Sequence, residues 1–186
     1  MQISIEKQSP RYENLRVSRE EYLDLEDDGF RYDMIDGLLY MSPSPNFEHA
    51  NYAGNFYLIV GNYLKKQKIG KVVMEMDVLL PDGGDVVRPD ISVLLSENLN
   101  KVKMHIHGSP DIVVEVLSPS TRNLDLGIKS DRYLNCGVKE YWIIDPKDKT
   151  ISVWRNENLT WKKETHLVLY SNILHGLEVL STEIFE

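Results

Sequence analysis

The stretch DIVVEVLSPS, residues 111–120, limits the possible folds more than any other part of the chain. Ile112, Val113, Val114, Val116 and Leu117 form the apolar run of a buried sheet strand, yet Glu115 stands inside it. An ionised carboxylate taken out of water costs several kcal/mol or more, so buried charges are paired, protonated or bound to metal. Either Glu115 turns to a solvated face or to an arginine, or it holds a metal or moves a proton.

The surrounding pattern places this strand in a mixed sheet. Ser18 and Glu21 have the spacing of a capping box and predict a short helix from about Arg19 to Asp27. Asp36-Gly37 between two strand-like runs predicts a hairpin. His49, Tyr52, Ala53, Phe56, Val60 and Tyr63 fall on one stripe of a long helix that ends in lysines. KVVMEMDVLL and VVRPDISVLL read as strands joined by the turn PDGGD, and NLNKVKMHIHGSP reads as a loop. After the strand at 111–117, LDLGIKSDRYLNCG predicts a helix closed by Gly137. KEYWIID, TISVWRN and TWKKETHLVL read as strands. The class is α/β (α+β), with residues 1–17 an N-terminal extension and 18–186 a single domain.

Composition removes several function classes. The net charge of −8 argues against a surface coated in basic residues for non-specific nucleic-acid binding. Cys136 is the only cysteine, which fits a reducing, cytoplasmic location. No apolar run approaches about 18 residues, so no membrane span is expected, and MQISIEKQSPRY has no signal-peptide core. There is no P-loop, no G-x-G-x-x-G and no G-x-S-x-G elbow. Ser118, Ser120 and Thr121 are therefore expected to shape a turn and cap the next helix.

Alternation along strands picks out the carboxylates. In VVRPDISVLL, Arg88, Asp90 and Ser92 share one phase, and Val87, Ile91 and Val93 the other. In DIVVEVL, Asp111, Val113, Glu115 and Leu117 share a face. If the two strands are neighbours, Asp90 and Glu115 converge. Two close carboxylates repel and need a cation between them. An oxygen-only set suits Mg²⁺ or Mn²⁺, which keep several waters. Lys129, one turn after Asp125 and one before Tyr133, is a candidate cation beside such a site; its plain alternative is a surface lysine paired with Asp125. His105 and His107 are expected in a loop, Glu75 and Asp77 on a solvated face, and Trp142 and Trp154 in the core or an interface.

Together RPD, EVLSPST and DLGIKSDRYLNCGVKEYWIIDP resemble the Uma-two family of restriction endonucleases, within the PD-(D/E)XK nuclease superfamily. YDMIDGLLYMSPSP followed by His49, and LPDGGDVVRPDISVL, extend the resemblance over roughly residues 18–183. It implies a restriction-endonuclease-like core, a mixed β-sheet flanked by helices. It also implies a metal-dependent nuclease acting on nucleic acid, DNA in the first instance. Asp90 takes the PD aspartate and Glu115 the acidic position of the second half. The standard E-x-K would put lysine where this chain has Leu117, and families with that gap supply it from the following helix, here Lys129. Asp33 matches a position usually held by glutamate. The metal set implied is Asp90, Glu115 and the Val116 carbonyl, with Asp33, His49 and Tyr133 as accessory residues. A non-catalytic module that keeps the fold, as a homodimer in one form, is the alternative.

Overall fold

The computed structural model describes residues 9–81 and 84–186. The first eight residues of the expected extension, and Asp82 and Gly83 of the PDGGD turn, lie outside the described residues.

The capping box at Ser18 forms both of its hydrogen bonds and starts α1 (Arg19–Leu23). The helix stops short of the expected Asp27. Asp27 and Asp28 instead accept from the backbone of Gly29 and Phe30, which turns the chain. The hairpin follows as β1 (Arg31–Ile35) and β2 (Leu38–Ser42). Its turn needs positive φ at both central residues, and Asp36 (φ 51°) and Gly37 (φ 73°) supply it. A side chain at Gly37 would also meet the Val17 carbonyl oxygen at 3.1 Å. Helix α2 (Phe47–Gln67) starts on an Asn46 cap that accepts from the His49 amide, and buries Tyr52, Ala53, Phe56, Val60 and Leu64.

The two long strands expected next each divide in two. The first becomes β3 (Gly70–Met74) and β4 (Val78–Leu79); the second becomes β5 (Val86–Val87) and β6 (Ile91–Leu95). β3 and β6 pair in one sheet, β4 and β5 in another, so a single strand pair bends from sheet to sheet. The bend falls at Glu75, with φ 47°, and at Arg88-Pro89-Asp90. Pro89 has no N–H for a ladder, and the Glu75 amide bonds the Asp90 carbonyl to hold the corner. The bend also corrects the expected phase: Val87 packs in a different cluster from Ile91 and Val93, because it belongs to the other sheet.

The expected loop at 98–110 contains a 3-10 turn (Ser96–Lys101) and β7 (Ile106–His107), which pairs in parallel with β4. β8 (Ile112–Val116) follows. The next helical run has three parts: α3 (Arg122–Leu124), a π-helical turn (Asp125–Lys129) and α4 (Ser130–Asn135). β9 (Glu140–Asp145), β10 (Thr150–Asn156) and β11 (Trp161–Thr165) complete the larger sheet. The strand expected over 160–169 breaks after Thr165, and β12 (Val168–Tyr170) pairs instead with β13 (Glu178–Leu180), ahead of α5 (Ser181–Phe185).

The six-stranded sheet runs β11-β10-β9-β8-β6-β3, with β8 and β9 parallel, and the five-stranded sheet runs β2-β1-β5-β4-β7. One face of the larger sheet packs Ile112, Val114, Val116, Trp142 and Ile144 against α2 and the C-terminal segment. Val113, Leu117, Tyr141 and Ile143 pack on the other face with Tyr133 of α4 and with Ile35, Val78 and Val87 of the smaller sheet. This is a mixed α/β fold with sheets flanked by helices. No helix among the described residues is long and apolar enough to cross a membrane.

Candidate active site

Glu115 lies on the face of β8 that packs against the helical run, as its alternation with Val113 and Leu117 requires. It is 3% exposed. Its Oε1 accepts from the Tyr133 hydroxyl at 2.8 Å and lies 2.6 Å from Lys129 Nζ, and its Oε2 accepts from the Asp90 amide at 3.3 Å. The carboxylate is thus buried and paired with a cation.

β6 and β8 are antiparallel neighbours with Ile91 opposite Val114, which brings Asp90 opposite Glu115. Asp90 Oδ2 accepts from the Val116 amide at 2.7 Å and lies 3.3 Å from His49 Nε2. His49 reaches it from the first turn of α2. Burial by itself would lower the imidazole pKa, but its hydrogen bond to Asp90, the Asp90 charge and the Val116 backbone together raise it.

Lys129 is 3% exposed, not a surface lysine. Besides Glu115, its Nζ lies 3.3 Å from Asp125 Oδ1 and 3.4 Å from Asp33 Oδ2. The π-helical turn carries both Asp125 and Lys129 inward, so the i, i+4 pair expected at the surface forms in the interior. Asp33 comes from β1 of the smaller sheet, in phase with Ile35 and so facing the space between the sheets. Its Oδ1 accepts from the Arg88 amide at 2.6 Å.

The charges are unequal. Asp33, Asp90, Glu115 and Asp125 gather around one lysine and one histidine. Burial pushes the Glu115 carboxyl well above the usual carboxylate range; Lys129 opposes the rise, and Asp125 and Asp90 add to it. Asp125 is raised by burial too, again against Lys129. Burial would depress the Lys129 ammonium, but Asp33, Glu115 and Asp125 outweigh it and hold the lysine charged, well above its ordinary value.

This excess of negative charge suits a divalent cation. Asp90 and Glu115, the expected oxygen ligands, stand on neighbouring strands, with the Val116 amide bonded to Asp90 Oδ2. Among the described residues no group of three or more His, Cys, Asp or Glu is arranged to hold a metal ion.

Sequence reasoning named Asp125 only as a surface partner of Lys129 and did not single out Arg88. Arg88 Nε bonds Asp77 Oδ1 at 2.7 Å, and its buried Nη1 has no hydrogen-bond partner among the described residues. The spacing of Asp125 from Lys129 was the available signal. Nothing in the sequence announced the Arg88–Asp77 pair, which depends on the bend. Asp77 is mostly buried and its Oδ2 lies 3.7 Å from His105 Nδ1, whereas His107 is exposed. Ser118 accepts from the Thr121 amide and bonds both neighbouring hydroxyls, shaping the turn as expected. Leu117 packs in the core beside Tyr133.

The cluster opens into a cavity of about 810 Å³. Its lining includes Arg31, the loop from Ser42 to Asn46, Glu48 and His49, the loop from Ser118 to Arg122, and Pro146-Lys147.

A family model described as "Uma2: Putative restriction endonuclease" matches residues 19–183. A crystal structure described as a putative nuclease belonging to DUF820 from Anabaena variabilis is 21% identical, with a TM-score of 0.78 over 91% of this chain and 97% of that one. At that identity the likeness is one of fold. No curated protein matches the chain.

Proposed function

The chain belongs to the Uma2 family of putative restriction endonucleases, and from that premise we propose that it is a metal-dependent nuclease that hydrolyses phosphodiester bonds, with DNA as the first candidate substrate. The observation that carries the reading is the buried Lys129 ammonium, 2.6 Å from Glu115 on the strand beside Asp90.

Asp90, Glu115 and the Val116 carbonyl would hold Mg²⁺ or Mn²⁺. When bound, such an ion activates water and stabilises charge on a phosphoryl oxygen. Lys129, kept charged by its carboxylates, holds the attacking water or a non-bridging phosphate oxygen. Asp33 and Asp125 are positioning residues for that ammonium, and Tyr133 orients Glu115. His49, 3.3 Å from Asp90 Oδ2 and with its pKa raised by that carboxylate, would supply the proton that the leaving oxygen needs. Water oxygen bonds to phosphorus as the phosphorus–sugar oxygen bond breaks.

One observation favours the alternative of a non-catalytic module that retains the fold. Both Glu115 oxygens already have partners in the chain, so an ion must compete with them. Two measurements separate the readings. The first is cleavage of single-stranded DNA, duplex DNA and RNA with Mg²⁺, Mn²⁺ or a chelator. The second is the melting temperature with and without those ions. The nuclease reading expects metal-dependent cleavage that is lost in Asp90→Asn, and a rise in melting temperature that Asp90→Asn also abolishes. At 100 times its Kd an ion adds about 2.7 kcal/mol. A wild type that cuts none of the substrates and gains no stability from either ion leaves the module as the reading.

A further inference from the structure

Phe47 is 83% exposed. A lone apolar side chain on a surface ordinarily needs no explanation. The surroundings of this one are unusual. It is the first residue of α2, and Asn46 before it and Glu48 and His49 after it all line the cavity above Asp90 and Glu115. Phe47 itself is outside that lining, so it flanks the cavity rather than walling it, on a run from Pro43 to Glu48 in which every residue is exposed.

The rim is divided by chemistry. The segment Ser42-Pro43-Ser44-Pro45-Asn46-Phe47-Glu48 contains no lysine or arginine, and its one charge is negative. It has no side-chain cation with which to grip a phosphate. Lys147 and Arg122, whose Nη1 is held 2.7 Å from Asp145 Oδ2, lie elsewhere around the cavity, and Arg31 pairs across the hairpin with Ser42 at the far end of the segment from Phe47. A strand laid across the cavity thus meets cations suited to its phosphates on some sides and, on the α2 side, an aromatic face, two prolines and uncharged polar groups. Those are groups suited to a base. Base–aromatic stacking tolerates any sequence, because every base has a π-face. In a duplex the base faces are covered by their neighbours, so only an unpaired base can lie on such a ring.

We propose that Phe47 is a stacking platform for an unpaired base next to the scissile phosphate, so that the substrate class of this site is single-stranded or locally unpaired nucleic acid. The inference rests on the nuclease reading for the purpose of the site, and it is tested by binding rather than by turnover. A short single strand carrying 2-aminopurine and the same strand annealed to its complement are titrated without divalent ions, with wild type, Phe47→Ala and Phe47→Trp. The wild type should bind the single strand more tightly than the duplex and quench the 2-aminopurine. Phe47→Ala should bind the single strand about tenfold more weakly and lose the quenching, with an unchanged melting temperature because the side chain packs on little. Phe47→Trp should restore both. Single-strand affinity and quenching unchanged in Phe47→Ala would overturn the proposal, as would a wild type that prefers the duplex or binds neither form. Cleavage of the same strand with Mg²⁺ is scored separately. Binding that depends on Phe47 without any cleavage removes the nuclease reading and leaves the platform; cleavage with binding indifferent to Phe47 does the reverse.

Discussion

Lys129 shows what a residue's spacing reveals and what it conceals. From its position four residues after Asp125 the pair was legible, and so was the alternation that puts Glu115 on one face of its strand. Depth was not. Lys129 lies buried because a π-helical turn and the smaller sheet cover it, and both depend on chain far away in sequence. The consequence is energetic. A partly exposed lysine could be cut back to alanine at little cost, but removing this one strands Asp33, Glu115 and Asp125 together in the interior. Breaking a buried pair from one side typically costs about 3–5 kcal/mol. Lys129→Met should lower the urea midpoint by a corresponding amount. Adding Glu115→Gln to it should cost less than the sum of the two single changes, since the groups touch. A midpoint equal to wild type for Lys129→Met would contradict the buried pairing.

At the scale of elements, the devices that act locally were readable. The capping box of α1, the stripe of α2 and the Asp36-Gly37 hairpin each follow from neighbouring residues. The division of two long strands was not, because the apolar pattern runs on through Arg88-Pro89-Asp90 while the chain changes sheets. The β12–β13 pair was missed as well; Leu169 and Val179 find their partners across the core rather than along the chain. The hairpin carries Asp33 to the lysine, so its turn matters beyond its own stability. Gly37→Ala meets both the left-handed backbone and the Val17 carbonyl. A loss of about 1–2 kcal/mol is expected from the backbone conformation, read as a shift in the denaturation midpoint. On the nuclease reading, cleavage measured well below the melting temperature should fall with it, as Asp33 shifts against Lys129. A Gly37→Ala protein as stable as wild type would show that the turn tolerates a side chain.

For the whole molecule, charge governs how it meets a polyanion. The net −8 repels nucleic acid at long range, and cations line only part of the cavity. Few phosphates can be neutralised at once. Three contacts on a single strand would give a slope of log affinity against log salt of about −2. A slope several times steeper, measured without divalent ions, would point to a basic surface elsewhere. The sheet-to-sheet bend has its own consequence for the life of the chain. Asp36 and Arg132 form an ion pair across 96 positions of sequence, and Asp33 and Lys129 close over the same span. During synthesis the carboxylates of β1 leave the ribosome long before the ammonium that will neutralise them. The two sheets must meet at the shared corner before that lysine has anywhere to go. A copy still being translated holds these carboxylates without their lysine, and the buried charge cluster closes only once residues 129–132 have joined it.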